Sequence, residues 1–303
     1  DVKADSVIAC VDSDSIYKIP LELEKEKIDQ VVVRKLGLRK RKNKLKDWIK
    51  YTSIIDSKGL PSVNIGIVGK YNLLSDSYLS VVESIKHASA ANNCRATIVW
   101  VNAENLEKSD SMDALKNLDG ILIPGGFGDR GIEGKIKAAK YARENNIPYF
   151  GLCLGMHIAV IEFARHVAGM EDANSTEFSR DCTFPVIDIL PDQKKVRQKG
   201  GTMRLGAYPC QNRPQTKLYE AYQCETVSER HRHRYEFNDK YKKELEAAGL
   251  VISGTSPQNN LVEVVELPGH PWFLACQFHP EFKSRPYKSH PLFRSFIKAS
   301  LSK

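Results

Sequence analysis

The sequence has no apolar run near the roughly 18 residues that cross a bilayer, no C-x-x-C pair, no internal repeat and no complete phosphate loop. The first absence excludes a membrane-spanning helix, and no signal-peptide pattern opens the chain. The cysteines are Cys10, Cys94, Cys153, Cys182, Cys210, Cys224 and Cys276, odd in number and scattered. That spacing argues against a disulfide framework or a zinc site and fits a reducing cytoplasm, so no metal is expected. Gly66-Ile67-Val68-Gly69-Lys70 comes nearest a phosphate loop. Too few residues separate its glycines, and Tyr71 stands where Ser or Thr is required, so no ATP site is expected within the chain.

What remains is an ordinary globular composition: 303 residues, 42% hydrophobic and 27% charged, enough for one large or two small domains. The net charge of +8 comes largely from the run between Arg34 and Lys46. No aromatic residues interleave that run as stacking platforms, so it reads as a solvated linker rather than a nucleic-acid patch. Attraction of polyphosphate nucleotides, or of acidic protein surface, is the better use of its charge. Residues 1–57 look like the tail of a preceding domain plus this basic linker, and the start at Asp1 suggests a processed or excised piece. Val7 to Val11 reads as a strand, and 19–38 as one or two amphipathic helices with Leu21, Ile28, Val32 and Leu36 on one stripe. This is too little core for independent folding.

From residue 58 to 303 a second domain is expected, opening on regular alternation. Strands are predicted at 63–68, 96–101, 119–123 and 147–152, and helices at 77–91, 132–144 and 154–167. After about Gly169 come short strands at 186–190, 203–207, 251–253, 261–266 and 273–278, with helices at 239–248 and 292–301. The fold class is α/β: a mostly parallel central sheet, helices on both faces, and antiparallel strand additions. Functional loops then belong at the carboxyl ends of the parallel strands.

Two such loops stand out. Pro124-Gly125-Gly126-Phe127-Gly128 follows one strand, and Gly151-Leu152-Cys153-Leu154-Gly155 joins another to a helix. The second is a G-x-nucleophile-x-G elbow with Cys for Ser, where a Cβ on either glycine would clash with neighbouring strand and helix. It sets the sulfur at a helix N-terminus, whose free N–H groups favour a thiolate. Cys153 needs a base, and the strand ending at Phe278 runs into His279-Pro280-Glu281. In an extended segment stiffened by Pro280, His279 and Glu281 point the same way, so the carboxylate can orient the imidazole. The backbone N–H groups of Leu154 and Gly126 are the candidate oxyanion donors. In Arg230-His231-Arg232-His233-Arg234, the residues alone leave metal or RNA open, although no Cys or carboxylate set completes a metal site.

Pro-Gly-Gly-Phe-Gly, Gly-Leu-Cys-Leu-Gly and His-Pro-Glu together resemble the class I (triad-type) glutamine amidotransferase family. Asp172 to Phe178, Gly200 to Gly206 and Glu229 to Glu236 are similar to the CTP synthase branch, and Val11 to Pro20 resembles the end of that branch's synthetase domain. The resemblance implies a Cys153–His279–Glu281 triad that hydrolyses L-glutamine to glutamate and ammonia. It implies that Gly126, Leu154, Gly155, Met156 and His157 close around the glutamine through their backbone. Glu177 would take the α-ammonium, and Arg234 the α-carboxylate as a bidentate guanidinium. It further implies that a synthetase domain, absent here, uses ATP and Mg²⁺ to aminate UTP to CTP in a homotetramer activated by GTP. Arg130, Gly131 and Glu133 match a lid segment tied to that GTP response, whereas Asp129 and 182–199 depart from the pattern. A related hydrolase, such as a γ-glutamyl hydrolase or Cys peptidase, and a catalytically silent binding module are the alternatives. A grip on both ends of a free amino acid disfavours the first, and an intact triad disfavours the second.

Overall fold

The computed structural model describes residues 2–39, 44–70, 75–189 and 203–303. Lys40 to Lys42 of the basic run, Tyr71, Leu190 at the end of one expected strand, the stretch 190–199 and Gly200 to Thr202 lie outside the described residues. The chain divides into two compact units, Asp1–Leu60 and Pro61–Lys303.

The first unit holds α1 (Ile19–Lys25), α2 (Ile28–Lys35) and α3 (Lys46–Asp56). Lys27, left-handed at φ 59°, separates α1 from α2, and neither helix buries a residue. Tyr17 meets Tyr51 edge-on at 5.1 Å, and the Trp48 indole donates to the Tyr17 carbonyl at 2.7 Å. The strand expected at Val7 to Val11 is absent. A 3-10 turn at Ala4–Ser6 leads into irregular chain, with Val7 and Val11 exposed. A lone β-segment has no ladder to satisfy its backbone groups, so β-branched residues alone do not make a strand.

In the second unit, the described residues form one nine-stranded sheet and one of three strands. The parallel part comprises β1 (Ser62–Gly69), β2 (Arg95–Asn102), β3 (Gly120–Ile123), β4 (Tyr149–Leu152) and β12 (Phe273–Cys276), in the order β2-β1-β3-β4-β12. The sheet continues antiparallel through β11 (Val262–Glu266), β10 (Val251–Thr255), β7 (Arg204–Asn212) and β8 (Thr226–His233). The antiparallel additions thus extend one edge rather than wrap around it. The small sheet is β5 (Ala173–Ser175), β6 (Phe184–Ile189) and β9 (Tyr235–Phe237).

Strands β1, β3, β4 and β12 are apolar on both faces, as a sheet covered on both sides requires. One core lies under α5 (Ala103–Lys108), α6 (Ile132–Glu144) and α7 (Leu154–His166), built on Ile121, Ile123, Ile136, Tyr149 and Ile158. The other lies under α4 (Leu79–Ala91) and α10 (Pro291–Leu301), where Phe150 meets Phe293 edge-on at 5.1 Å. The expected helix at 239–248 begins as a 3-10 turn and becomes α9 only over Lys242–Ala247. No helix is long and apolar enough to cross a membrane among the described residues.

Candidate active site

Three neighbouring parallel strands, β3, β4 and β12, end at one edge of the sheet. Their register pairs Ile123 with Gly151 and Leu152 with Cys276, so the three following loops converge. The Cys153 N–H donates to the Cys276 carbonyl at 2.7 Å, which fixes the elbow to the strand that leads to His279. Cys153 sits at φ 50°, ψ −99°, a conformation rare for a side-chain-bearing residue and held by what surrounds it. A Cβ on Gly151 would come within 2.5 Å of the Gly155 carbonyl oxygen, and one on Gly155 within 2.3 Å of that of Ile123. Neither glycine of the elbow has room for a side chain.

The Met156 and His157 N–H groups turn back to the Cys153 carbonyl at 2.9 and 3.3 Å. Among the described residues, the N–H groups of Leu154 and Gly155 have no protein acceptor at this helix start. Gly126 lies against Leu154, since a Cβ there would be 3.2 Å from Leu154 Cδ2. Its neighbour Gly125 covers the base: a Cβ would stand 2.8 Å from His279 Cε1 and 3.6 Å from Cys153 Cβ. Gly125→Ala is therefore expected to displace the imidazole and lower turnover by about a hundredfold, the cost of an ångström-scale misplacement, with the fold retained. Steady-state turnover beside circular dichroism checks it; a folded variant with full turnover would contradict it.

His279 Nδ1 and Glu281 Oε1 are 2.7 Å apart, and both side chains are buried. The reason differs from the sequence expectation. The segment is not extended: Pro280–Phe282 forms a 3-10 turn with Pro280 at its start, and Glu281 reaches the imidazole from that turn. Proline's fixed φ suits the first helical position, so it bends the chain rather than stiffening a strand. Burial disfavours a charge on His279, but Cys153 and Glu281 outweigh it and raise the imidazole to about 10. The ring is thus poised as imidazolium opposite the sulfur. Phe282 stacks on it at 5.3 Å.

Glu177 accepts from the Gly128 N–H at 3.1 Å, at the far end of the same glycine loop. Burial raises its carboxyl, opposed by that N–H and by the charges of Lys70 and Arg234. The structure therefore brings Glu177 and Arg234 into one electrostatic neighbourhood. The cavity at the sulfur, about 260 Å³, is lined by Gly125, Gly126, Cys153 and His279 together with Tyr78 and Arg232.

The family model for "Glutamine amidotransferase class-I" matches residues 73–299. The chain belongs to the class-I glutamine amidotransferase family. Within it, the sequence is 57% identical over 303 residues to a CTP synthase of Carboxydothermus hydrogenoformans, covering 99% of this chain and 56% of that protein. It is 55% identical to a CTP synthase of Caldanaerobacter subterraneus subsp. tengcongensis, covering 100% and 56%. The chain thus spans little more than half the length of these relatives. Its fold is similar to the glutaminase domain of Trypanosoma brucei CTPS with bound acivicin: TM-score 0.73, 42% identity, 80% of this chain and 94% of that one. The resemblance read from the motifs is therefore to the right family and branch.

Other residues singled out in the sequence make contacts of their own. Arg130 pairs with Glu104 at 2.5 Å, and Glu133 takes both contacts from Arg165 at 3.0 and 2.8 Å. Gly131 caps α6 at φ 69°. The side chains of Met156 and His157 are buried, and the His157 ring meets Gln277 Oε1 at 3.0 Å. The Arg-His run is resolved by strand period. On β8, Glu229, His231 and His233 point inward, while Arg230 and Arg232 point out. His231 Nδ1 meets His233 Nε2 at 2.9 Å, and Arg204 bonds Glu263 at 2.6 Å. No cluster that could hold a metal ion occurs among the described residues.

Sequence reasoning missed Arg232, Phe282 and Gln277, all beside the triad. Phe282 directly follows the His-Pro-Glu motif, which was the available signal. His157 was singled out for its backbone only. Its side chain is pushed by burial from the ordinary 6.5 to about 4, as is His87. The unfolded chain takes up these protons near pH 6.5 but the folded chain only near 4. The contribution of these two groups is therefore full above 6.5 and falls as pH drops toward 4, on the order of 3 kcal/mol for the fully buried His157 and less for His87. Thermal melts should show a lower Tm at pH 5 than at pH 7, with a shallower fall in His87→Gln. Equal melts at pH 5 and 7 would contradict this.

Proposed function

We propose that this chain hydrolyses L-glutamine through Cys153, His279 and Glu281. The observation that carries the reading is a cysteine held at positive φ opposite an imidazolium that a buried carboxylate orients at 2.7 Å. The Cys153 thiolate attacks the carboxamide carbon, and the resulting oxyanion is held by the N–H groups of Gly126 and Leu154, each worth on the order of 3 kcal/mol. His279 gives its proton to the nitrogen as the C–N bond breaks, leaving ammonia and a thioester. The neutral imidazole then takes a proton from water, which attacks the thioester. Glutamate leaves as the C–S bond breaks, and the thiolate and imidazolium are restored.

Glu177 and Arg234 grip the α-ammonium and α-carboxylate, while backbone at Gly155, Met156 and His157 closes the pocket. In the whole protein, whose length this chain half spans, the ammonia serves ATP- and Mg²⁺-dependent amination of UTP to CTP. Arg130, Gly131 and Glu133 belong to the GTP-responsive lid, and the assembly is a homotetramer. A reducing cytoplasm suits the free nucleophilic thiol.

Arg234→Ala and Glu177→Ala are expected to raise KM for glutamine by about tenfold or more each. Such variants lose a charge-assisted contact in the ground state and transition state alike. The rate of Cys153 alkylation by a small neutral electrophile should stay unchanged. An unaltered KM in both variants would sink the glutamine assignment.

A further inference from the structure

Beneath the elbow lies a buried polar pair that the mechanism above leaves unused. Gln277 follows the last residue of β12, and its N–H donates to the Glu263 carbonyl at 2.8 Å. Its side chain is fully buried. Nε2 stands 3.8 Å from Cys153 Sγ, and Oε1 stands 3.0 Å from His157 Nε2. His157 is itself buried, one turn into the helix that begins after the nucleophile. One amide thus bridges the sulfur to a histidine on the nucleophile's own helix.

The direction of this bridge follows from donor and acceptor chemistry. An amide oxygen facing a thiolate would set lone pairs against a negative charge, whereas the amide N–H₂ offers a donor. A free amide can turn either way. His157 removes that freedom when its Nε2 carries the proton, because only the amide oxygen can accept it. A ring this buried is neutral through physiological pH, so it keeps one proton to place.

We propose that Gln277 is a second hydrogen-bond donor to the Cys153 thiolate, and that His157 is the positioning residue that holds its amide in the donating orientation. The inference deepens the reading of Cys153 as the glutaminase nucleophile and rests on it. It makes the segment 277–279 bifunctional. One residue steadies the thiolate before attack, and the residue two positions on supplies the proton afterwards. A donor to the thiolate also supports its return as leaving group when the thioester is hydrolysed.

The test is the pH profile of Cys153 alkylation by iodoacetamide in the full chain, read by mass on the Cys153 peptide. Wild type should label at neutral pH faster than the urea-denatured chain. Gln277→Met, similar in volume but without the donor, should label about tenfold more slowly at pH 7, with its profile displaced upward by about one pH unit, as expected when a bond to a charged group is lost. His157→Leu should behave alike. His157→Gln, whose amide N–H reaches equally far, should restore the rate to within about twofold. A merely structural pair would alter melting without moving the profile.

A folded Gln277→Met that labels at the wild-type rate across the pH range overturns the proposal. If that variant does not fold, equal rates in His157→Leu and His157→Gln overturn it. A folded wild type whose Cys153 stays unlabelled, while the denatured chain labels, overturns the nucleophile reading itself and this inference with it.

Discussion

Cys153→Ala in the full-length enzyme is expected to abolish glutamine-dependent CTP formation while ammonia-dependent formation persists. The loss should be on the order of 10⁵-fold or more, since removing the nucleophile of a triad removes nearly all that the triad contributes. The change deletes one sulfur from a buried elbow, and the remaining Cβ already fits the positive-φ position, so the fold is retained. The prediction separates making ammonia from using it. Converging loops from β3, β4 and β12 account for the first step alone. Loss of both activities in a folded full-length protein would mean that Cys153 serves the synthetase chemistry, and survival of both would mean that it is not the nucleophile.

Glu281→Gln is expected to cost about 10⁴ in glutamine turnover, the scale seen when an orienting carboxylate becomes an amide and the imidazole takes the wrong tautomer. The geometry should hardly change, because glutamine has the same shape and the contact to His279 Nδ1 is 2.7 Å. The pH dependence carries the sharper signature. Burial pulls the His279 imidazole down, and Cys153 and Glu281 raise it to about 10. Without the carboxylate charge, burial weighs more and the imidazolium loses its proton at lower pH. The alkaline limb of the pH–rate profile must therefore move to lower pH, never to higher. An unmoved alkaline limb would show that Glu281 does not set the charge of His279.

The elbow was legible because its chemistry and its sterics coincide in a short string. Gly151 and Gly155 are glycines because the Gly155 and Ile123 carbonyls occupy the space a Cβ would need. The parallel strands were legible because burial on both faces leaves only apolar residues, as in Ile121 to Ile123. The strand Thr226–His233 was not, and the cause is physical. Its inward positions are Glu229, His231 and His233, where Glu229 pairs with His290 and His231 with His233, so the apolar alternation that signals a strand is missing. The short helix Lys217–Tyr222 buries only Leu218 and Ala221, too few to set a period. The strand ending at Phe278 was drawn too long, because Gln277 and Phe278 are as buried as strand residues but already belong to the turn toward His279. Gln277 itself could not be read from sequence at all, since its partners, Cys153 and His157, lie more than a hundred positions away.

The central claim is that Cys153, among seven cysteines, is the residue that attacks glutamine. A diazo-ketone analogue of glutamine, carrying its electrophile where the amide carbon sits, tests this directly when the alkylated chain is digested and weighed. One adduct is predicted, on the peptide containing Cys153, suppressed by excess L-glutamine and absent from Cys153→Ala. A folded chain that takes up no label, or takes it on another cysteine, would contradict the claim.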